Sequence, residues 1–418
     1  MQGQLSQWIN PADQHHLQVF CENIAAILQA QSACLSNWLP YVSHRDCEAR
    51  SHMERLNYFV HNPKINAETF YYPLVEQFLK AWQGMEMTLV LDTSVLWDKY
   101  CLIEVCLIWG GRSIPLGQSV LEHGSATVGY EDYRRVLETT LRMLPAGCQV
   151  RLLADRGFEH GAFIRWLRDH RWSWAIRAKS DLNMTLSNGR TNAVAQLLPP
   201  KGFAYLFREV TILQDIECHL ATANLGIAGE PWAVLTDTTP SLQTFEVYGQ
   251  RFGGIEPHFK DYKSAAFDLT RSHLRDEMAL SCLLMLLAAA ELIAISIAVV
   301  VAGEGRTKML DWHFHRGLSF LQLGLGEIKR LCYQCLPIPS FASLPPRSPV
   351  PGCASLKKRE QLQTRVEFSK VTVFSTSNSK KFWFFLTYYA KLTIKMPSKQ
   401  ASIFVIIEIP KTIRRTFY

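Results

Sequence analysis

The chain has 418 residues, 48% of them hydrophobic, and 44 Lys or Arg against 37 Asp or Glu give a formal net charge of +7. That length exceeds one typical domain and can bury a large core, which excludes a short disordered or disulfide-stapled peptide. The charge does not make the body a polycation: Cys353–Tyr418 holds 13 Lys or Arg and 3 Asp or Glu, leaving 31 against 34 in residues 1–352. Any affinity of the body for nucleic acid must therefore come from local basic faces.

Residues 1–84 read as helices. Leu17, Phe20, Ile24, Ile27 and Leu28 form an apolar stripe at helical spacing, and a second helix starts at Tyr72-Pro73 and runs to Trp82. Between them, Ser43–Arg45 and Arg50–Arg55 carry three arginines and two histidines, a run that suits contact with a phosphate backbone or a solvated helix face. Three strand-like runs follow, Met87–Leu96, Tyr100–Trp109 and Arg112–Val120, separated by gaps of turn length, and they predict an antiparallel meander. Tyr130–Leu144 is an amphipathic helix, Gln149–Ala154 a buried strand, Gly161–His170 a helix and Trp172–Ala178 a strand.

From Ser180 to about Thr239 the pattern turns to short strands, among them Phe203–Gln214, His219–Leu225 and Trp232–Thr236. Beyond Glu256 the chain reads as helical, and Met278–Ala302 is apolar apart from Ser281, Glu291 and Ser296. A membrane span is one reading of that stretch, but Glu291 near its middle would be costly in lipid, so a helix filling the core is the expectation. Six prolines fall from Pro337 to Pro351, and a Lys-, Ser-, Phe- and Ile-rich tail follows to which the pattern assigns no fold. Eleven cysteines without regular spacing, several in apolar runs, read as reduced buried thiols in a cytosolic protein. Cys332 and Cys335 form a lone CxxC near His313 and His315 with no second cysteine pair to complete a zinc site. The first residues, Met1–Ser6, lack the basic and apolar regions of a secretory signal.

The chemistry concentrates in Tyr248–Lys263, where Glu256 stands among Tyr248, Arg251 and Lys263. A carboxylate suits a divalent metal, and the cations and hydroxyl suit phosphate oxygens. Two aspartates close apolar strand-like runs upstream, Asp92 after Thr88–Leu91 and Asp155 after Val150–Ala154. Each aspartate alone would pass as a strand-end cap, and Asp98, Asp132, Glu159 and Asp261 are nearby acidic rivals. Trp174 and Trp232 could stack on an extruded base, although core packing explains them more simply.

Taken together, these residues resemble the DDE transposases of the insertion-sequence-4-like (IS4-like) superfamily, over roughly Arg50–Leu336. The resemblance rests on Asp155-Arg156-Gly157-Phe158, on the tyrosine, arginine, glutamate, lysine motif at 248–263, and on intervals of 63 residues from Asp92 to Asp155 and 101 from Asp155 to Glu256. It implies an α/β fold with an RNase H-like catalytic core at 85–336, a β-rich insertion at about 180–239, N-terminal helices at 1–84 that could hold DNA, and a foreign linker and basic tail at 337–418. It further implies that Asp92, Asp155 and Glu256 hold two Mg²⁺ ions, with Mn²⁺ as a substitute, while Tyr248, Arg251 and Lys263 bind DNA phosphates. The partners implied are the element's terminal inverted repeats, target DNA and a second copy of the chain in a synaptic homodimer, in a cytoplasmic, nucleoid-associated setting and without a membrane.

One departure from the family's pattern matters. Four residues, Phe252–Ile255, separate Arg251 from Glu256 where the family has three, and five helical steps turn a side chain about 140° away. Gly253 and Gly254 are poor helix formers and Pro257 suits a first turn, so the sequence predicts a helix that restarts at Glu256, with Lys263 on its face. If the geometry is instead damaged, the chain is a remnant that binds element ends without cutting them.

Overall fold

The computed structural model describes residues 1–42, 46–224, 230–313, 317–348, 368–376, 383–394, 405–408 and 414–415. Ser43–Arg45 of the basic run, His315 and most of the tail lie outside the described residues.

Helix α1 (Gln14–Ala30) starts where the Asp13 side chain accepts a hydrogen bond from the His15 amide, and it buries the stripe of Leu17, Phe20, Ile24, Ile27 and Leu28. Helices α2 (Ala49–Val60) and α3 (Tyr72–Leu79) follow, the latter with Pro73 in its first turn, where a missing N–H costs nothing. Strands β1 (Glu86–Leu96), β2 (Tyr100–Trp109) and β3 (Arg112–Glu122) come next. Trp97 and Asp98, both at φ 51°, make the first turn, and Gly110 and Gly111, at φ 59° and 80°, make the second. Positive φ at both central positions matches the twist of paired strands, which explains the glycine pair.

Helix α4 (Tyr130–Met143), strand β4 (Gln149–Ala154), helix α5 (Gly161–Asp169) and strand β5 (Ser173–Arg177) then alternate. The short strands β6 (Asn183–Thr185) and β7 (Thr191–Ala193) precede β8 (Phe203–Ile212), β9 (Ile216–Ala223) and β10 (Trp232–Thr236). Three helices complete the body: α6 (Gln243–Lys260), α7 (Glu277–Gly303) and α8 (Phe320–Tyr333). The tail adds β11 (Phe368–Thr376) and β12 (Trp383–Ile394).

The chain divides into two compact units that interleave along the sequence. The first comprises Met1–Met87, Asp92–Gln149 and Ile255–Leu356. Within it, β2 and β3 pair antiparallel, and the Asp92–Leu96 half of β1 lies on the other side of β2. Its centre is α7, which packs on α1, β3 and α8. This helix is long and apolar enough to span a membrane, yet 89% of its most apolar window is buried within the protein. It is a core helix, and Glu291 on it is fully buried. The Pro-rich stretch also belongs here: Leu344 is fully buried, its amide donates to the Phe78 carbonyl, and Trp82 donates to the Leu344 carbonyl at 2.9 Å.

The second unit comprises Thr88–Leu91, Val150–Gly254 and Lys357–Tyr418. Its strands run in the order β12-β11-β8-β9-β10-β5-β4, with the Thr88–Leu91 half of β1 beyond β4. β4 and β5 are parallel, whereas β8, β9, β10 and β5 are successively antiparallel. A meander followed by helix, strand, helix and a parallel strand is the RNase H-like order, and the protein is α/β with this core. The tail joins this unit through β11, whose Lys370–Phe374 pair in parallel with Phe203–Phe207, and Phe374 stacks on Phe207 at 4.5 Å.

Candidate active site

Asp155 sits where β4 ends. Its side chain accepts from the Arg156 amide at 2.8 Å and caps the one-turn helix Arg156–Phe158, which is what a strand-end aspartate before Arg-Gly-Phe is built to do. Its second oxygen faces the Arg251 guanidinium at 3.8 Å. Arg251 is buried on α6 and lies 5.5 Å over the Phe252 ring. The second predicted aspartate and the motif arginine are thus neighbours within one unit, although they stand 96 positions apart in the sequence. Arg156 does not join them: with Arg177 it grips Glu230, at 3.0 and 2.6 Å.

Tyr248 is fully buried and meets Trp232 and Phe252 edge-on. Trp232 and Trp174 are both buried, so neither offers a face to a base, and core packing is their role. Glu159, the carboxylate nearest Asp155 in sequence, accepts from the Lys179 amide at 2.6 Å, and burial pushes it up to about 7.

In the first unit, Asp92 is half-buried on β1 and accepts from the Thr93 amide at 2.9 Å. Glu256 is exposed. Lys263 is half-buried and donates to the Val95 carbonyl at 2.7 Å, and burial lowers its pKa. Asp261, the carboxylate within the motif, is buried and paired with Arg112 at 2.5 Å, which gives it a structural role. Asp98, the rival at the end of β1, lies exposed in the hairpin turn.

The expected break at Gly253-Gly254 does not occur. Helix α6 runs unbroken from Gln243 to Lys260 with Pro257 inside it, and only then widens into a π-helical turn over Asp261–Ala265. Packing overrides propensity here: Tyr248, Arg251, Ile255, His258, Phe259 and Tyr262 recur at helical spacing and are all buried, so one continuous stripe holds the helix together across two glycines and a proline. Ile255 thereby stands four residues after Arg251 on the buried face. Glu256 falls about 140° round the helix from Arg251, on the solvent side.

Sequence reasoning missed the group directly beneath Glu256. His258 is fully buried between two carboxylates that are also fully buried. Its Nε2 lies 2.8 Å from Glu104 Oε2 on β2, and its Nδ1 lies 3.2 Å from Glu291 Oε2 on α7. The first contact is a directed hydrogen bond; the second is an ion pair whose angle falls outside that of a hydrogen bond. Burial alone would push the ring toward neutrality, but Glu291 and Glu104 outweigh it and bring His258 up to about 10. Gln118 donates to the other Glu104 oxygen at 2.8 Å, and Cys106 Sγ lies 3.7 Å from Glu104 Oε2. Glu104, Cys106 and His258 bring their donor atoms within 4.8 Å of one another, unlike the CxxC, whose cysteines are exposed. Of the other described thiols, Cys21, Cys101, Cys218 and Cys282 are free and buried as expected, whereas Cys34 and Cys148 are half-buried and Cys47 is exposed.

Asp92 within β1 and Asp155 at the end of β4 are thus two strand-borne aspartates of an α/β fold. Residues 105–293 match the family described as transposase DDE domain. Over those residues the chain is similar to transposase DDE domains, which cleave and join DNA strands with divalent metal ions. The match contains Asp155 and Glu256, while Asp92 lies ahead of it. Among solved structures, the chain is similar to a piggyBac transposase in a synaptic complex with hairpin DNA, at 11% identity and a TM-score of 0.42, covering 78% of this chain and 74% of that one. No curated protein sequence matches the chain.

Proposed function

We propose that the protein cuts DNA at the ends of an IS4-like insertion sequence and joins them to target DNA, with Asp92, Asp155 and Glu256 as its metal ligands. Their oxygen donors suit Mg²⁺, with Mn²⁺ as substitute, and two such ions stabilise both the attacking and the leaving oxygen of an in-line displacement. The three carboxylates would hold the ions. Arg251 sets the charge beside Asp155, and Tyr248, Arg251 and Lys263 would steady phosphate at the cleaved end. The observation that carries this reading is the approach of Arg251 to Asp155 inside the stretch that matches the family. The partners would be the terminal inverted repeats, target DNA and a second copy of the chain, in a cytoplasmic setting.

A second reading has its own support. The unbroken α6 turns Glu256 away from Arg251, as in a remnant that binds ends without cutting. Nicking of an end-containing duplex separates the two. Asp92→Asn, Asp155→Asn and Glu256→Gln should each abolish Mg²⁺-dependent cleavage while sparing end binding, and near-native cleavage by any one of them removes that residue from the site.

A further inference from the structure

We propose that His258 is a positioning residue, bridging Glu104 and Glu291 so as to lock the rotation of α6 and with it the direction in which Glu256 points. The inference rests on Glu256 being a metal ligand. The helix needs such a lock, because Gly253, Gly254 and Pro257 give its middle little intrinsic stiffness. The apolar part of its buried stripe, Ile255 and Phe259, resists separation from the core but not rotation, since apolar contact is non-directional. The His258 contacts differ in kind. Nε2 makes a directed hydrogen bond with Glu104 on β2 at 2.8 Å, and Nδ1 forms an ion pair with Glu291 on α7 at 3.2 Å, so the ring is held between two separate elements of the same unit.

His258 is two residues past Glu256, on the opposite side of the helix, so anchoring the one aims the other. A side-chain end about 5 Å from the helix axis moves about 2 Å when the helix turns by about 20°. Misplacement of about 1 Å already costs on the order of a hundredfold in rate, and metal sites tolerate only about 0.2 Å. A modest loss of rotational control would therefore empty the site without unfolding the protein.

The test is Mn²⁺ binding to the full chain by titration calorimetry, beside end binding and cleavage. His258→Gln should weaken Mn²⁺ binding by about tenfold or more and raise the metal concentration for half-maximal cleavage in parallel, with end binding unchanged. Glu291→Gln, which keeps an oxygen facing Nδ1, should shift the midpoint by less than about threefold. Should His258→Gln fold too poorly to assay, the same midpoint read in Glu104→Gln against Glu104→Leu decides, with only the leucine weakening Mn²⁺. Unchanged Mn²⁺ binding in destabilised His258→Gln would overturn the proposal and leave the ring a packing group. About one zinc per purified chain, lost in Cys106→Ser, would overturn it in favour of a metal centre at Glu104, Cys106 and His258. Unchanged Mn²⁺ binding in Glu256→Gln would instead remove the underlying assignment of the site.

Discussion

Replacing His258 by leucine should be among the most damaging single changes in the first unit. Two carboxylates, each fully buried, share one ring at 2.8 and 3.2 Å, and removing it leaves both without their counter-charge. Breaking one buried pair in this way costs about 3–5 kcal/mol, a large part of the 5–15 kcal/mol that holds a typical domain folded. The two pairs share a partner, so the losses do not simply add. His258→Leu combined with Glu104→Gln and Glu291→Gln removes the charges along with the ring, and it should recover most of the loss. The pH dependence has a definite sign. With its folded pKa raised from 6.5 to about 10, the ring's contribution is fully present below about pH 6.5 and is lost as the pH rises through about 10. The stability difference between the native chain and the triple variant should therefore narrow between pH 7 and pH 10 in urea titrations followed by circular dichroism. A loss below about 1 kcal/mol for His258→Leu at pH 7, or a difference independent of pH, would refute the reasoning.

Arg251→Ala and Lys263→Ala should each weaken binding to element ends and lower the salt slope by about one unit; unchanged slopes with reduced stability would assign both residues to packing. Deleting Gly254 brings Glu256 from about 140° to about 40° of Arg251 and should raise cleavage by about tenfold or more. A native chain that cuts well and a deletion that does not would show that the four-residue spacer is itself productive. Ending the chain at Ser348 removes the basic tail and should abolish salt-sensitive background binding to unrelated DNA. Ending it at Leu336 should lower the first unit's stability by a further ~2–4 kcal/mol, because it strips buried Leu344 and the carbonyls that accept from Ser296, Trp82 and Trp109. Equal melting temperatures for the two truncations would contradict this.

Wherever periodicity and punctuation agree, the sequence was enough to place the elements: β4 and β10 fall on Gln149–Ala154 and Trp232–Thr236 as read, and α7 departs from Met278–Ala302 by one residue at each end. The α6 region misled because glycine and proline report local preference, whereas the continuity of that helix is set by partners far along the chain. The bridge beneath it was invisible for a related reason. Glu104 and His258 are 154 residues apart, and nothing local to a leucine-, isoleucine- and cysteine-rich strand marks one glutamate as a partner for a distant histidine. Glu291 did stand out, as a charge in an apolar run, and its oddity recorded the missing counter-charge.

The interleaving of the two units bears on how the protein is made. The first unit's central helix, α7, lies within its last segment, Ile255–Leu356, whereas its N-terminal helices leave the ribosome some two hundred residues sooner. Until α7 emerges, the faces of α1 and β3 that it covers stay open, although α4 can already pack on β3, and a chaperone that shields those faces in the interval would do so by default. Nor can one proteolytic cut release either unit whole, since each is built from three stretches of chain.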